Sequence, residues 1–116
     1  MTIPTVASPA DVQVAARLFQ GLAVPARLAL LTALRDGERT VSELMRAVGV
    51  GQSGVSGHLA CLRECGLVDS RPGPGRSVLY RLAAPGLEAV LRAVEELLAD
   101  RGHPVTLCAQ QRGARS

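Results

Sequence analysis

Two thiols stand four residues apart in HLACLRECGLV, residues 58–68. On a helix, side chains at i and i+4 share one flank with their Cβ atoms about 5 to 6 Å apart. Two sulfurs each about 2.3 Å from one tetrahedral ion lie under about 4 Å from each other. Cys61 and Cys65 can therefore reach a single metal ion, and thiolates select soft or borderline ions. The same spacing fits two small hydrophobes at a half-buried position, or a redox pair if both thiols are exposed and acidic. A disulfide within the helix is disfavoured, because side chains at i and i+4 run nearly parallel. His58 lies on the flank of the pair. The third cysteine, Cys108, falls in a C-terminal stretch that also holds His103.

The chain that carries these thiols has 116 residues, enough for one domain and too few for two independent cores. Its apolar residues make up 47% and come in short periodic groups. No run approaches the roughly 18 to 20 residues that cross a bilayer. The start, MTIPTVASPADVQ, has neither a basic region nor an apolar stretch of the kind a signal peptide carries. The expected location is the cytoplasm, without a membrane partner. In a reducing compartment three cysteines point to metal or redox chemistry rather than a disulfide framework. Net charge is +3 and all 13 basic residues are arginine. Residues 82–100 are acidic on balance, whereas residues 101–116 carry arginines and no acid. One Phe and one Tyr argue against RNA and single-strand readers, which stack bases on aromatic platforms. Double-stranded DNA remains open. Neither histidine has a catalytic partner in sequence, and no phosphate loop, nucleophile motif or carboxylate pair appears, so no enzyme is expected.

Residues 1–9 read as a flexible lead-in and residues 10–100 as the folded domain. The segment 101–116 reads as a polar, irregular tail. Val12, Ala15, Ala16, Phe19 and Leu22 recur at helical spacing over residues 10–23. Pro25 suits the first turn of a second helix that Asp36-Gly37 stops. A short third helix, capped by Thr40 or Ser42, buries Val41, Leu44, Met45 and Val48 and ends at Gly49. After the turn Gly49-Val50-Gly51 a fourth helix runs from Gln52 to Cys65, with Gly66 just past its end. Helix, glycine turn, helix is the helix-turn-helix plan. Leu67–Arg71 and Ser77–Leu82 flank Pro72-Gly73-Pro74-Gly75 as a hairpin, placed where a wing would sit. A fifth helix opens at Pro85-Gly86, with Leu87, Val90, Leu91, Val94, Leu97 and Leu98 along one stripe. The expected fold is mainly α with a small β-hairpin, a winged helix-turn-helix in the order ααααββα.

On a wheel of about 100° per residue, Val55, Leu59 and Leu62 form the buried face of the fourth helix. Gln52, Ser53, Ser56, Ala60 and Arg63 fall on the other side. Short polar side chains at a helix start let it approach a major groove. Arg71, Arg76 and Arg81 on the hairpin are placed for phosphate or minor-groove contacts. A plain solvated face is the competing reading of those residues.

The string QSGVSGHLACLRECGLV, followed by GRSVLYRL, resembles the ArsR/SmtB family of winged-helix repressors over residues 14–98. The resemblance rests on Ser53, Ser56, His58, Leu59, Leu62, Arg63, Gly66, Leu67 and Val68. It implies a homodimer built on the first and last helices, with Phe19, Leu87, Leu91, Val94 and Leu98 as the candidate interface. It also implies an inverted-repeat operator and release by an inducer. The thiol pattern is similar to that of the cadmium- and lead-sensing, CmtR-like branch, which implies Cys61, Cys65 and Cys108 as ligands and Cd(II) or Pb(II) as the ion, with Zn(II) less favoured. Ser42-Glu43-Leu44-Met45 lacks the thiols that many members carry on the third helix, and the last helix has no histidine. Arsenic and zinc sites of those designs are not expected here. A thiol-redox repressor, or a metal-sequestering protein that no longer binds DNA, would share the same residues.

Overall fold

The computed structural model describes residues 6–107. Helix α1 spans Pro9–Ala23, with Pro9 at its first position and the Ser8 hydroxyl accepting the Asp11 N–H at 3.1 Å. It thus starts one residue inside the expected lead-in. Val24 is extended, as a residue before proline must be, and breaks the chain between α1 and α2 (Pro25–Ala33). Helix α3 covers Val41–Val48. Its start is a reciprocal capping box: Thr40 Oγ1 accepts the Glu43 N–H, and Glu43 accepts the Thr40 N–H. That bond to the Thr40 backbone holds the Glu43 carboxyl below its ordinary range. Gly49, at φ 76°, ends α3 in the left-handed conformation that glycine adopts without strain.

Helix α4 spans Gln52–Glu64 and stops in a Schellman turn. The Leu67 N–H bonds the Leu62 carbonyl and the Gly66 N–H bonds the Arg63 carbonyl, with Gly66 at φ 76°. This reversal drops Leu67 into the core and leads into the wing. Strands β2 (Val68–Pro72) and β3 (Val78–Leu82) pair antiparallel, Val68 opposite Leu82 and Pro72 opposite Val78. Helix α5 follows from Leu87 to Asp100.

One element departs from the expected order. Arg39 and Thr40 form a short strand β1 that pairs with Tyr80 and Leu79, so the sheet has three strands in the order β1-β3-β2. The wing is thereby tied to the chain just before α3. The core gathers Leu30 and Leu31 of α2, Leu44 of α3, and Val55, Leu59 and Leu62 of α4, together with Leu67, Val68, Leu87 and Leu91. All three residues assigned to the inner face of α4 are fully buried. Helix α1 packs on this core through Leu18, Gly21 and Leu22; Val12 and Phe19 of its apolar pattern stand 52% and 63% exposed. No single helix among the described residues is long and apolar enough to cross a membrane.

Candidate DNA-reading surface and thiol site

The outward face of α4 carries Gln52, Ser53, Ser56, Ala60 and Arg63, all exposed. Gly51 caps the helix without a side-chain hydrogen bond, so the N–H groups of the first turn remain open to an acceptor outside the helix. Gly54 has a role that sequence reasoning missed. A Cβ there would stand 2.6 Å from Val50 Cγ1, so the turn between α3 and α4 closes this tightly only over glycine.

The three wing arginines are not equivalent. Arg71 donates through Nε and Nη2 to both carboxylate oxygens of Glu38, each at 2.6 Å. This fork holds the Glu38 carboxyl below the usual carboxylate range and raises Arg71 in turn. Arg71, expected to face phosphate, is thus engaged within the chain and pins β2 to the segment before β1. Arg81 approaches Asp69 across the hairpin at 3.9 Å. Arg76 lies exposed at the tip and forms no salt bridge among the described residues.

The two thiols open into one cleft of about 620 Å³ between α1 and α4, lined by Arg17, Gly21, Arg27, Cys61, Glu64 and Cys65 among others. Cys61 is half-buried, while Cys65, the C-cap of α4, is exposed. Both are free thiols. Gly21, another residue the sequence reading passed over, lines the cleft from α1, where a Cβ would make ordinary contacts with Cys65 Sγ at 3.7 Å and Leu67 Cδ1 at 3.8 Å. The cleft lies on a different flank of α4 from Ser53 and Ser56. His58 is drawn to α2, where its Nδ1 accepts from Arg27 Nε at 3.4 Å. Among the described residues no group of three His, Cys, Asp or Glu side chains comes together as a metal cage. The donors fit part of a soft-metal site: two sulfurs at i and i+4, one of them open to solvent. Cys108 lies outside the described residues.

Residues 24–70 match the family model described as bacterial regulatory protein, arsR family. The chain is 37% identical over 93 residues to the probable mercury resistance operon repressor of Streptomyces lividans, covering 80% of this chain and 74% of that one. The chain belongs to the arsR family. A second relative, the HTH-type transcriptional regulator CmtR of Mycobacterium tuberculosis, is 45% identical over 83 residues, covering 72% of this chain and 67% of its own. The solved structure of that cadmium metal-sensor superposes with a TM-score of 0.58 at 44% identity, covering 67% of this chain and 80% of that one. The homodimeric winged helix-turn-helix domain of Mb0332 from Mycobacterium bovis gives a TM-score of 0.67 at 31% identity, over 88% of this chain and 93% of that one.

This arsR-family chain is accordingly a winged helix-turn-helix, DNA-binding transcriptional regulator and not an enzyme. Within the family fold, the residues named for a dimer interface separate into two groups. Leu87 and Leu91 are 3% and 1% exposed inside their own subunit, where they close the core over α2 and α4. They leave nothing for a partner to touch. Phe19 is exposed, and Val94 and Leu98 are half-buried on the outer part of the α5 stripe. Val12 of α1 and Leu97 of α5, 52% and 60% exposed, add apolar surface on the same two helices.

Proposed function

We propose that this regulator is a cytoplasmic, homodimeric repressor that holds an inverted-repeat operator and lets go when Cd(II) or Pb(II) binds Cys61, Cys65 and Cys108. Gln52, Ser53, Ser56 and Arg63 of α4 reach the major groove, and Arg76 reaches phosphate from the wing. Arg71 contributes by holding the wing through Glu38 and meets DNA only when that pair opens. Phe19, Val94 and Leu98 line the dimer surface. The observation that carries the reading is the α1–α4 cleft, where both thiols open side by side on the DNA-reading helix, off the face that bears Ser53 and Ser56.

A soft ion is bound tightly by three or four ligands. Two thiolates of the cleft leave room for Cys108, which we assign to the partner subunit's pair because α1 and α5 meet at the dimer surface. Cys61 and Cys65 would hold the ion at the C-terminal end of α4, where it would supply a link between thiolates that are otherwise separate. A coupling of about 1 to 3 kcal/mol changes operator affinity roughly 5- to 150-fold. Zn(II) is a weaker candidate on ligand softness. Hg(II), suggested by the name of the Streptomyces relative, is a further soft competitor.

The test is an operator gel shift with Cd(II), Pb(II), Zn(II), Hg(II) or peroxide added to the reduced protein. Release by Cd(II) or Pb(II) at the lowest concentrations supports the reading. Release by peroxide alone indicates a thiol-redox repressor, and no complex under any condition indicates metal sequestration.

A further inference from the structure

Several charged clusters of the fold are closed on themselves. Arg35 donates Nε and Nη2 to the two oxygens of Glu88 at 2.7 and 2.5 Å and gives Nη1 to the Leu107 carbonyl. Arg71 is held by Glu38, and Arg81 approaches Asp69. The thiol cleft is different. Arg17 and Arg27 both line it, and neither forms a salt bridge among the described residues.

Arg27 is half-buried and oriented. Its Nε donates to His58 Nδ1 at 3.4 Å, which leaves both Nη groups without a hydrogen bond among the described residues. It stands in the first turn of α2, an end with no side-chain cap, where the helix dipole adds to its positive charge. Glu64 is the one acid in the lining. The cleft, at about 620 Å³, lies within the roughly 300 to 1,000 Å³ of small-molecule sites and far exceeds what one ion fills. Two guanidinium groups and one carboxylate complement a molecule with two carboxylates and one ammonium, and guanidinium meets carboxylate through two parallel hydrogen bonds. Cys65 Sγ opens into the same space on the side of α1, 3.7 Å from where a Cβ of Gly21 would stand.

We propose that this cleft captures a small peptide-like disulfide, holding its carboxylates on Arg17 and Arg27 and its ammonium on Glu64, and that Cys65 exchanges with it to form a mixed disulfide. This chemistry needs no metal and stands apart from the metal reading. The Cys65 thiolate attacks one sulfur of RSSR. A bond forms between Cys65 Sγ and that sulfur, the S–S bond of the reagent breaks, and the thiolate RS⁻ leaves and takes a proton from water. Cys65 is oxidised and one half of the reagent is reduced, so no further oxidant enters. Cys65 is the attacking group because it is exposed, whereas Cys61 is half-buried. In many dithiol pairs the second cysteine expels such an adduct by closing an internal disulfide. Here Cys61 lies four residues back on the same helix, where side chains run nearly parallel, so that closure is disfavoured and the adduct persists. It occupies one of the two sulfurs and thereby excludes a metal ion from the pair.

The experiment exposes the reduced full-length protein to oxidised glutathione and, separately, to bis(2-hydroxyethyl) disulfide, which carries no charge. Intact mass and peptide mapping follow the adduct at Cys65, and each rate is divided by that of the urea-unfolded chain to remove the reagent's own reactivity. Two exposed ion pairs together are worth roughly a two- to 30-fold difference. The native chain should favour glutathione by that factor, and by less at high salt. Arg17→Gln with Arg27→Gln should abolish the preference and leave the hydroxyethyl rate unchanged, which also checks the fold of the variant. Arg17→Gln alone, at an exposed position, should lower the preference part way. Equal normalised rates for the two reagents in the parent overturn the proposal. So does a preference that survives both substitutions, or an adduct that forms on Cys61 ahead of Cys65. A product without glutathione that has lost two hydrogens, the mark of a Cys61–Cys65 disulfide, overturns it as well.

Discussion

Arg76 and Arg71 lie five residues apart on one wing, yet only the loss of Arg76 should change how DNA binding responds to salt. Arg76 forms no salt bridge among the described residues, whereas Arg71 is held by both oxygens of Glu38 at 2.6 Å. Each phosphate neutralised by a free cation steepens the slope of log K against log salt by about 0.9 on duplex DNA. In a dimer Arg76 counts twice, so Arg76→Ala should flatten that slope by about 1.8. Between 50 and 200 mM salt, a fourfold change, the parent then loses about 12-fold more affinity than the variant. Arg71→Ala, by contrast, removes a charge already matched within the chain and should barely alter the slope. Glu38→Gln frees Arg71 and should steepen it by up to about 1.8. Because this part of binding is independent of sequence, fluorescence anisotropy with a random duplex suffices. An unchanged slope for Arg76→Ala would refute the argument. A slope for Arg71→Ala as flat as that of Arg76→Ala would show that Glu38 releases its partner on DNA.

Three further outcomes are expected. Ser53→Ala with Ser56→Ala should weaken operator binding while thermal unfolding and Cd(II) absorption stay as in the parent, since both hydroxyls are exposed; unaltered binding would move recognition elsewhere. Phe19→Glu should give a folded monomer in light scattering, whereas Leu91→Glu should unfold the chain, because the first residue is 63% exposed and the second 1%. The fork from Arg35 holds the Glu88 carboxyl below its ordinary value of 4.5, so its contribution to stability is fully present above that pH and is lost as pH falls through the lowered value. Urea melts between pH 6 and pH 3 should therefore show a shallower decline for Glu88→Gln than for the parent, and parallel declines would count against the fork.

What the sequence displayed well was local. Val55, Leu59 and Leu62 announce their buried face by period alone, Thr40 is one of the two caps offered for α3, and Gly49 and Gly66 mark two ends. The strand at Arg39–Thr40 was hidden because two residues carry no period; only pairing with Tyr80 and Leu79 defines it. A stripe on a helix reports that a face is apolar without saying what covers it. Hence Leu87 and Leu91 turn out to belong to their own core, while Phe19 and Val12, part of an equally regular pattern, remain outside it. The hold of Arg35 on Leu107 spans 72 residues and that of Glu38 on Arg71 spans 33, distances over which no spacing rule operates. The thiol pair was legible as a pair. Its cleft was not, since α1 supplies the opposite wall through Arg17, Leu18 and Gly21.

On the proposed reading, that cleft lets a ligand at one end of α4 govern a contact at the other. The helix has 13 residues, about 20 Å of nearly rigid rod, and its middle is fixed by fully buried Leu59. With a pivot there, a shift of about 1 Å at Cys65 appears as a comparable shift of opposite sense at Ser53, the scale on which regulatory helices move. Cys65 also caps α4 at the turn that leads through Leu67 into β2, so a shift there would carry the wing along with the reading helix. On the facing side Gly21 belongs to α1, whose exposed Phe19 we assign to the dimer surface. On the proposed reading, Cys61 and Cys65 would hold an ion between the helix assigned to the dimer surface and the two elements assigned to DNA, and so could alter the angle between them without occupying the groove.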